Sequence, residues 1–247
     1  MLTQPTMQKL HELKLEALAQ AWSQQQSDPH AASLSFDERL GLLVDSQYLA
    51  VHNKRIQRAL REAKLRICGA SLQALDCPEK RNLERAQLAQ LGGGQYIEQH
   101  LSVLITGATG TGKTFLACAL GTQACTQGYR VLYVRLPRLL QELALAHADG
   151  TYARVLARLL RTDLLILDDW GLSTLTEAQS RDVLEVLEDR YDRRATVVAS
   201  QLPLDRWHQW LSEPTLADAI LDRLLHRSYR FVIKGPSKRK DEPTPNP

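Results

Sequence analysis

Residues 107–114 read Gly107-Ala108-Thr109-Gly110-Thr111-Gly112-Lys113-Thr114, which satisfies the spacing G-x-x-x-x-G-K-[ST]. Glycines at these positions let the backbone turn so that successive amides face one anion, and a helix starting near Lys113 adds its positive end. In such a loop the lysine reaches the β- and γ-phosphates of a nucleotide, and the hydroxyl of Thr114 ligates Mg²⁺. A second group follows at Leu164-Leu165-Ile166-Leu167-Asp168-Asp169, an apolar run closed by two carboxylates. Asp168 is the expected holder of the magnesium, directly or through water. Asp169 reads either as the group that polarises an attacking water or as an exposed carboxylate at a strand end. A third group, Thr196 to Gln201, offers Ser200 or Gln201 as a polar contact to the γ-phosphate or the water, or else a turn residue before Pro203. Together these residues imply ATP binding and hydrolysis.

The elements needed to position them are legible. Val103–Thr106, Val131–Leu136, Leu164–Asp168, Thr196–Ser200 and Tyr229–Ile233 are short apolar or β-branched runs. Helical segments are expected over 113–127, 138–147, 151–161 and 177–190, the last opened by a Thr176/Gln179 capping box. Continuous apolar strands alternating with helices predict a parallel α/β sheet covered on both faces. The loop at 107–114 falls between a predicted strand and a predicted helix, which is the context its chemistry needs.

Residues 1–67 are predicted to form a small all-α N-terminal domain, with a capping box at Ser35/Glu38 and apolar residues Ile56, Leu60, Ala63 and Ile67 at helical spacing. Residues 68–94 hold several breakers and read as a linker region, 95–235 as the ATPase domain, and 236–247 as a flexible basic, proline-rich tail. Between 54 and 66 lie Lys54, Arg55, Arg58, Arg61, Lys64 and Arg66, opposed only by Glu62. Lys54, Arg58 and Arg61 share the side of the helix away from the apolar stripe, which suits either contact with DNA phosphates or a solvated coat.

A net charge of +3 puts any attraction to nucleic acid on local faces of this kind rather than on the bulk field. No apolar run is long enough to span a bilayer and Met1 to Leu10 carries no secretory core, so no membrane is expected and the bacterial cytosol is the expected compartment. The four cysteines form no CxxC pair and the histidines do not cluster with them, so reduced thiols are expected rather than a metal centre.

Beyond the nucleotide motifs, the sequence resembles the IstB-like (IstB/DnaC-type) AAA+ ATPases that assist transposition of insertion sequences. The resemblance is carried by Leu34-Ser35-Phe36-Asp37-Glu38-Arg39-Leu40, Arg61-Glu62-Ala63-Lys64-Leu65-Arg66, Tyr133-Val134-Arg135-Leu136-Pro137, Asp168-Asp169-Trp170-Gly171, Ser200-Gln201-Leu202-Pro203, Asp205-Arg206-Trp207-His208 and Pro214 through Leu224. It implies a P-loop NTPase of the AAA+ type with strand order 5-1-4-3-2. It also implies a homo-oligomer that assembles on double-stranded DNA with ATP and cooperates with a cognate IstA-like transposase. It places Arg138, Arg154 and Arg158 on helices facing DNA, Arg223 or nearby Arg227 as a cation acting on a neighbour's nucleotide, and Arg239 as a second nucleotide sensor. Pro236 and Lys238 depart from the pattern around Arg239. About 46 residues follow Gln201, which leaves too little for a helical lid domain, so a neighbouring subunit is expected to complete the site. A DnaC-type helicase loader shares the core; the matches at 34–40 and 61–66 favour the transposition branch. A nucleotide-gated scaffold without useful turnover is the remaining class.

Overall fold

The structure, a computed structural model, describes residues 3–75, 82–211 and 213–237. By internal contacts the chain divides into two units, Met1–Arg58 and Ala59–Pro247. The first contains α1 (Thr3–Glu12), α2 (Glu16–Ser27) and most of α3 (Phe36–Ala63). Its helices are joined by polar ties: the Leu18 amide donates to Gln47 Oε1 at 3.2 Å, and Gln25 Nε2 donates to the Arg39 carbonyl at 3.0 Å. The expected capping box forms at α3, where the Ser35 amide donates to Glu38 Oε2 (2.8 Å) and the Glu38 amide donates to Ser35 Oγ (3.3 Å). On successive turns of α3, Phe36, Leu40, Val44, Tyr48 and Val51 stand exposed, Phe36 by 76%.

The helical spacing that runs through Ile67 predicts a longer α3 than is found. The helix ends at Ala63 because Lys64 takes a left-handed φ of 53°, and Leu65, Arg66 and Ile67 leave the axis. The segment after them carries α4 (Arg85–Gly92) and α5 (Gln95–Glu98) and buries Ala70, Leu83, Leu88 and Leu91 in the core of the second unit.

That unit is built on β1 (Ser102–Gly107), β2 (Val131–Arg135), β3 (Leu164–Trp170), β4 (Ala195–Ser200) and β5 (Ser228–Ile233). All four pairings are parallel, in the order β2-β3-β4-β1-β5, which is the expected 5-1-4-3-2 read from the other edge. The helices are α6 (Lys113–Thr126), α7 (Leu136–Asp149), α8 (Tyr152–Leu160), α9 (Glu177–Arg190), α10 (Trp207–Trp210) and α11 (Pro214–Leu225). Alternate strand residues feed two cores. Val103, Ile105, Leu164, Ile166 and Val197 face α6, whereas Leu104, Leu165, Leu167 and Val198 face α7, α9 and α11. Continuous apolar strands follow from this two-sided burial, each such side chain contributing about 1.5–3 kcal/mol. The second core includes Trp170 against Trp207 and Trp210, with ring centroids 5.4 and 5.1 Å apart. Both downstream tryptophans are therefore packing residues.

Arg190, at the end of α9, is 1% exposed. It donates to the carbonyls of Leu159 (2.5 Å), Thr162 (2.9 Å) and Ala195 (2.5 Å) and to Thr196 Oγ1 (3.2 Å). Burial, with Arg194 nearby, pushes its pKa down. The guanidinium ties the end of α8 to the start of β4, so Arg190→Ala strands several buried carbonyls. A loss of about 3–5 kcal/mol is expected in urea unfolding; a loss under about 1 kcal/mol would contradict this role.

Candidate functional site

The phosphate loop joins the end of β1 to the start of α6, as its sequence context predicts. Gly110 has φ 82°, and a Cβ there would meet Ser237 Oγ at 1.9 Å, so only glycine lets the chain beyond β5 lie against the loop. Inside the loop, Thr111 Oγ1 donates to the Ala108 carbonyl at 2.9 Å. Lys113 is buried, and its Nζ donates to the same carbonyl at 2.8 Å. Thr109 Oγ1 donates to Gln201 Oε1 at 2.8 Å, which brings the end of β4 onto the loop. Of the two polar candidates there, Gln201 touches the loop and Ser200 does not: Ser200 is fully buried and donates to the Trp170 carbonyl at 2.7 Å.

β3 delivers the carboxylates. Thr114 Oγ1 donates to Asp168 Oδ2 at 2.8 Å, and the Tyr133 hydroxyl donates to the same oxygen at 2.7 Å. The Asp169 amide donates to Asp168 Oδ1 at 2.9 Å. Burial first, and then the hydrogen bond to Asp168, push the Tyr133 phenol far above its usual pKa, so it remains a donor. Parallel register sets Arg135 of β2 opposite Asp168, and its guanidinium hydrogen-bonds the Asp169 carboxylate. That contact raises the pKa of Arg135. Asp169 itself sits at φ 59°, a left-handed conformation that Asp and Asn tolerate better than other side chains.

These groups line one cavity of about 360 Å³, whose walls include the polar Lys113, Thr114, Asp168, Asp169 and Gln201 and the apolar Leu75, Phe115 and Ile233. Such a mixture suits a polyphosphate at one end and a flat heterocycle at the other. Thr114 and Asp168 present hard oxygens within hydrogen-bond distance of one another. This donor set fits Mg²⁺, which takes one or two protein ligands and completes its shell with phosphate and water.

Other expected site residues lie elsewhere. Arg223 (α11) and Arg227 flank the start of β5, opposite the start of β1, so about 16 Å of strand separates them from the end that carries the loop. Arg223 is held by Glu188 (2.7 Å) and Asp222 (2.9 Å) and lies over the Tyr191 ring. Arg227 is more exposed and meets Asp192 at 3.5 Å. Arg239 lies outside the described residues; Ser237, two positions before it, rests on Gly110. Lys54, Arg55, Arg58 and Arg61 are exposed on α3, and Lys64 is exposed just past its end. Arg138 is exposed on α7. Arg154 and Arg158 line a shallow groove on α8 with Arg161, which sequence reasoning missed, and Arg158 is paired to Glu142 at 2.8 Å. Tyr133 and Arg135 were also missed as site residues. Their signal in the sequence was their place in residues 133–137, one of the stretches that carry the family resemblance, since strand register brings them to the carboxylates.

The profile of the family described as IstB-like ATP binding protein matches residues 8–244. An insertion-sequence ATP-binding protein of Sinorhizobium fredii is 45% identical over 242 residues, covering 98% of this chain and 98% of that one. The ATP-binding protein of insertion sequence IS1162 from Pseudomonas fluorescens is 48% identical over 203 residues, covering 82% of this chain and 88% of its own. Among solved structures, DnaI is similar with a TM-score of 0.57 and 21% identity, covering 74% of this chain and 93% of that chain. The DnaC helicase loader follows with a TM-score of 0.54 and 21% identity, covering 68% and 98%. At that identity these structures speak for the AAA+ fold alone. A loop built for a triphosphate, on a five-stranded parallel sheet of this order, in a chain matched over nearly its whole length, has one reading: the protein belongs to the IstB-like ATP-binding proteins of insertion sequences.

Proposed function

We propose that this ATP-binding protein hydrolyses ATP and serves as a transposition helper, assembling on duplex DNA and recruiting or activating a cognate IstA-like transposase. The observation that carries the reading is the meeting of the phosphate loop, the Thr114–Asp168 pair and Asp169 at one cavity. In the site, Lys113 leaves the Ala108 carbonyl for the β- and γ-phosphates, and Gln201 and Asp169 orient water at the γ-phosphate. Mg²⁺, held by Thr114 and Asp168, would offset the charge between the β- and γ-phosphates. Tyr133 fixes the Asp168 carboxylate for that task.

Assembly follows from the sheet's two ends. Arg223 and Arg227 are too far from their own loop to act there, so their cation is proposed to serve a neighbouring subunit's γ-phosphate. The exposed apolar stripe on α3 is a second surface suited to a partner. Two basic surfaces support DNA binding: Lys54, Arg55, Arg58, Arg61 and Lys64 along and just past α3, and Arg138, Arg154 and Arg158 on α7 and α8. Phosphate contacts of this kind give affinity with little sequence preference.

The test compares duplex binding and particle size with ATP, ADP and no nucleotide. Large, DNA-bound particles with ATP alone are expected, with log affinity falling against log salt by about 0.9 per neutralised phosphate. Small particles that bind no DNA in all three conditions would remove the reading. A replicative helicase as the preferred partner over the transposase would move the protein to the loader class.

A further inference from the structure

Arg66 closes the basic run that begins at Lys54, yet the structure takes it away from that surface. Lys64 ends α3, and the next three residues are tied down on α6, the helix that carries the phosphate loop. Leu65 packs where a Cβ on Gly121 would stand, 2.8 Å from Leu65 Cδ2, so the glycine in α6 makes room for this segment. The Cys118 thiol of the same helix lies beside the backbone of Arg66 and Ile67. So anchored, the Arg66 guanidinium lies 4.0 Å from Asp168 Oδ2, the oxygen that also accepts from the Tyr133 hydroxyl. Its side chain remains 44% exposed, and it lines the same cavity as Lys113, Thr114 and Asp169.

One carboxylate oxygen thus faces Thr114, Tyr133 and Arg66 together. The first two are neutral donors that fix the carboxylate; the third is a full charge on a long, pivoting side chain. Asp168 and Thr114 are the residues that would hold a magnesium beside the β- and γ-phosphates, and Arg66 lies against Asp168. A guanidinium offers several donors in one plane and suits a terminal phosphate with its free oxygens better than a bridging one. The half-exposed Arg66 side chain has several rotatable bonds through which the guanidinium can reorient within the cavity.

We propose that Arg66 is a γ-phosphate ligand supplied by the chain's own subunit, a contact that lets the site distinguish ATP from ADP. The inference deepens the proposed function and rests on its reading of the cavity as a triphosphate site, but it does not require hydrolysis.

Binding of AMPPCP, whose terminal phosphate cannot be hydrolysed, and of ADP, each with Mg²⁺, is measured by calorimetry on the full chain and its Arg66→Ala, Arg66→Gln and Arg66→Lys variants. In Arg66→Ala and Arg66→Gln, AMPPCP affinity is expected to fall about tenfold or more and ADP affinity less than about twofold. Arg66→Lys, which keeps the charge and loses the fork, should lie between these and the wild type. Equal losses for both nucleotides would make Arg66 a structural anchor and overturn the proposal, as would unchanged affinity for both. Should Arg66→Ala unfold, Arg66→Gln, similar in length and polarity, carries the same comparison. A wild type that holds AMPPCP but turns over no ATP removes the hydrolytic reading and leaves Arg66 standing.

Discussion

Lys113→Ala is expected to weaken ATP binding by about a hundredfold while leaving the unliganded protein folded. Lys113 is 7% exposed, and its ammonium donates to the Ala108 carbonyl at the bend of the loop. A triphosphate in the loop would draw this ammonium to its β- and γ-oxygens. Alanine removes a cation–phosphate contact in a site partly shielded from water, where such a contact is worth more than on the surface. Ala108 loses one donor but keeps that of Thr111 Oγ1. The melting temperature without nucleotide should therefore change little. The measurement is a titration with a fluorescent ATP analogue, paired with thermal unfolding. Normal ATP affinity in the variant would contradict the assignment of the loop, and a collapse of the unliganded fold would make Lys113 a structural residue.

The second large effect is on turnover. If Asp169 positions or deprotonates the attacking water, Asp169→Asn should lower the steady-state ATPase rate about tenfold to a hundredfold while ATP affinity stays within about twofold. The substitution is well suited to the question because asparagine tolerates the left-handed backbone at φ 59°, so the loss is chemical and not conformational. Its partner provides the opposite arm. Arg135 engages the Asp169 carboxylate in this structure, and a carboxylate held that way is less available to water. Arg135→Ala should therefore raise basal turnover several-fold in the absence of DNA. Unchanged turnover in Asp169→Asn would remove that residue from the water role, leaving the role to Gln201, which meets the loop from the end of β4.

Where sequence reading succeeded, the chemistry was encoded locally. The phosphate loop needs glycines and a lysine within eight residues, and β3 needs an apolar run ending in carboxylates, so both were visible without any neighbour. Strand positions were equally legible, because strands buried on both faces must be continuously apolar. What stayed hidden depends on pairing at a distance. Nothing in the local pattern says that Arg135 stands opposite Asp168, since only the β2–β3 register puts it there. Tyr133 reaches Asp168 for the same reason. The fate of Arg66 turned on one backbone angle at Lys64, where basic and apolar spacing alone would have continued the helix. Ser200 and Gln201 were indistinguishable by spacing, and a hydrogen bond from Thr109 to Gln201 separates them.

Trp170 directly follows Asp169 in β3 and packs against Trp207 and Trp210, so three of the chain's four tryptophans form one group behind the carboxylates. Among the described residues the buried Trp170 Nε1 has no hydrogen-bond partner, whereas those of Trp207 and Trp210 donate to the Leu202 and Ser173 carbonyls. Ultraviolet emission from the protein is consequently weighted towards a single locality. A small tilt at the end of β3 alters ring spacing and energy transfer among the three indoles, so the molecule carries its own optical gauge of the strand that bears Asp168 and Asp169.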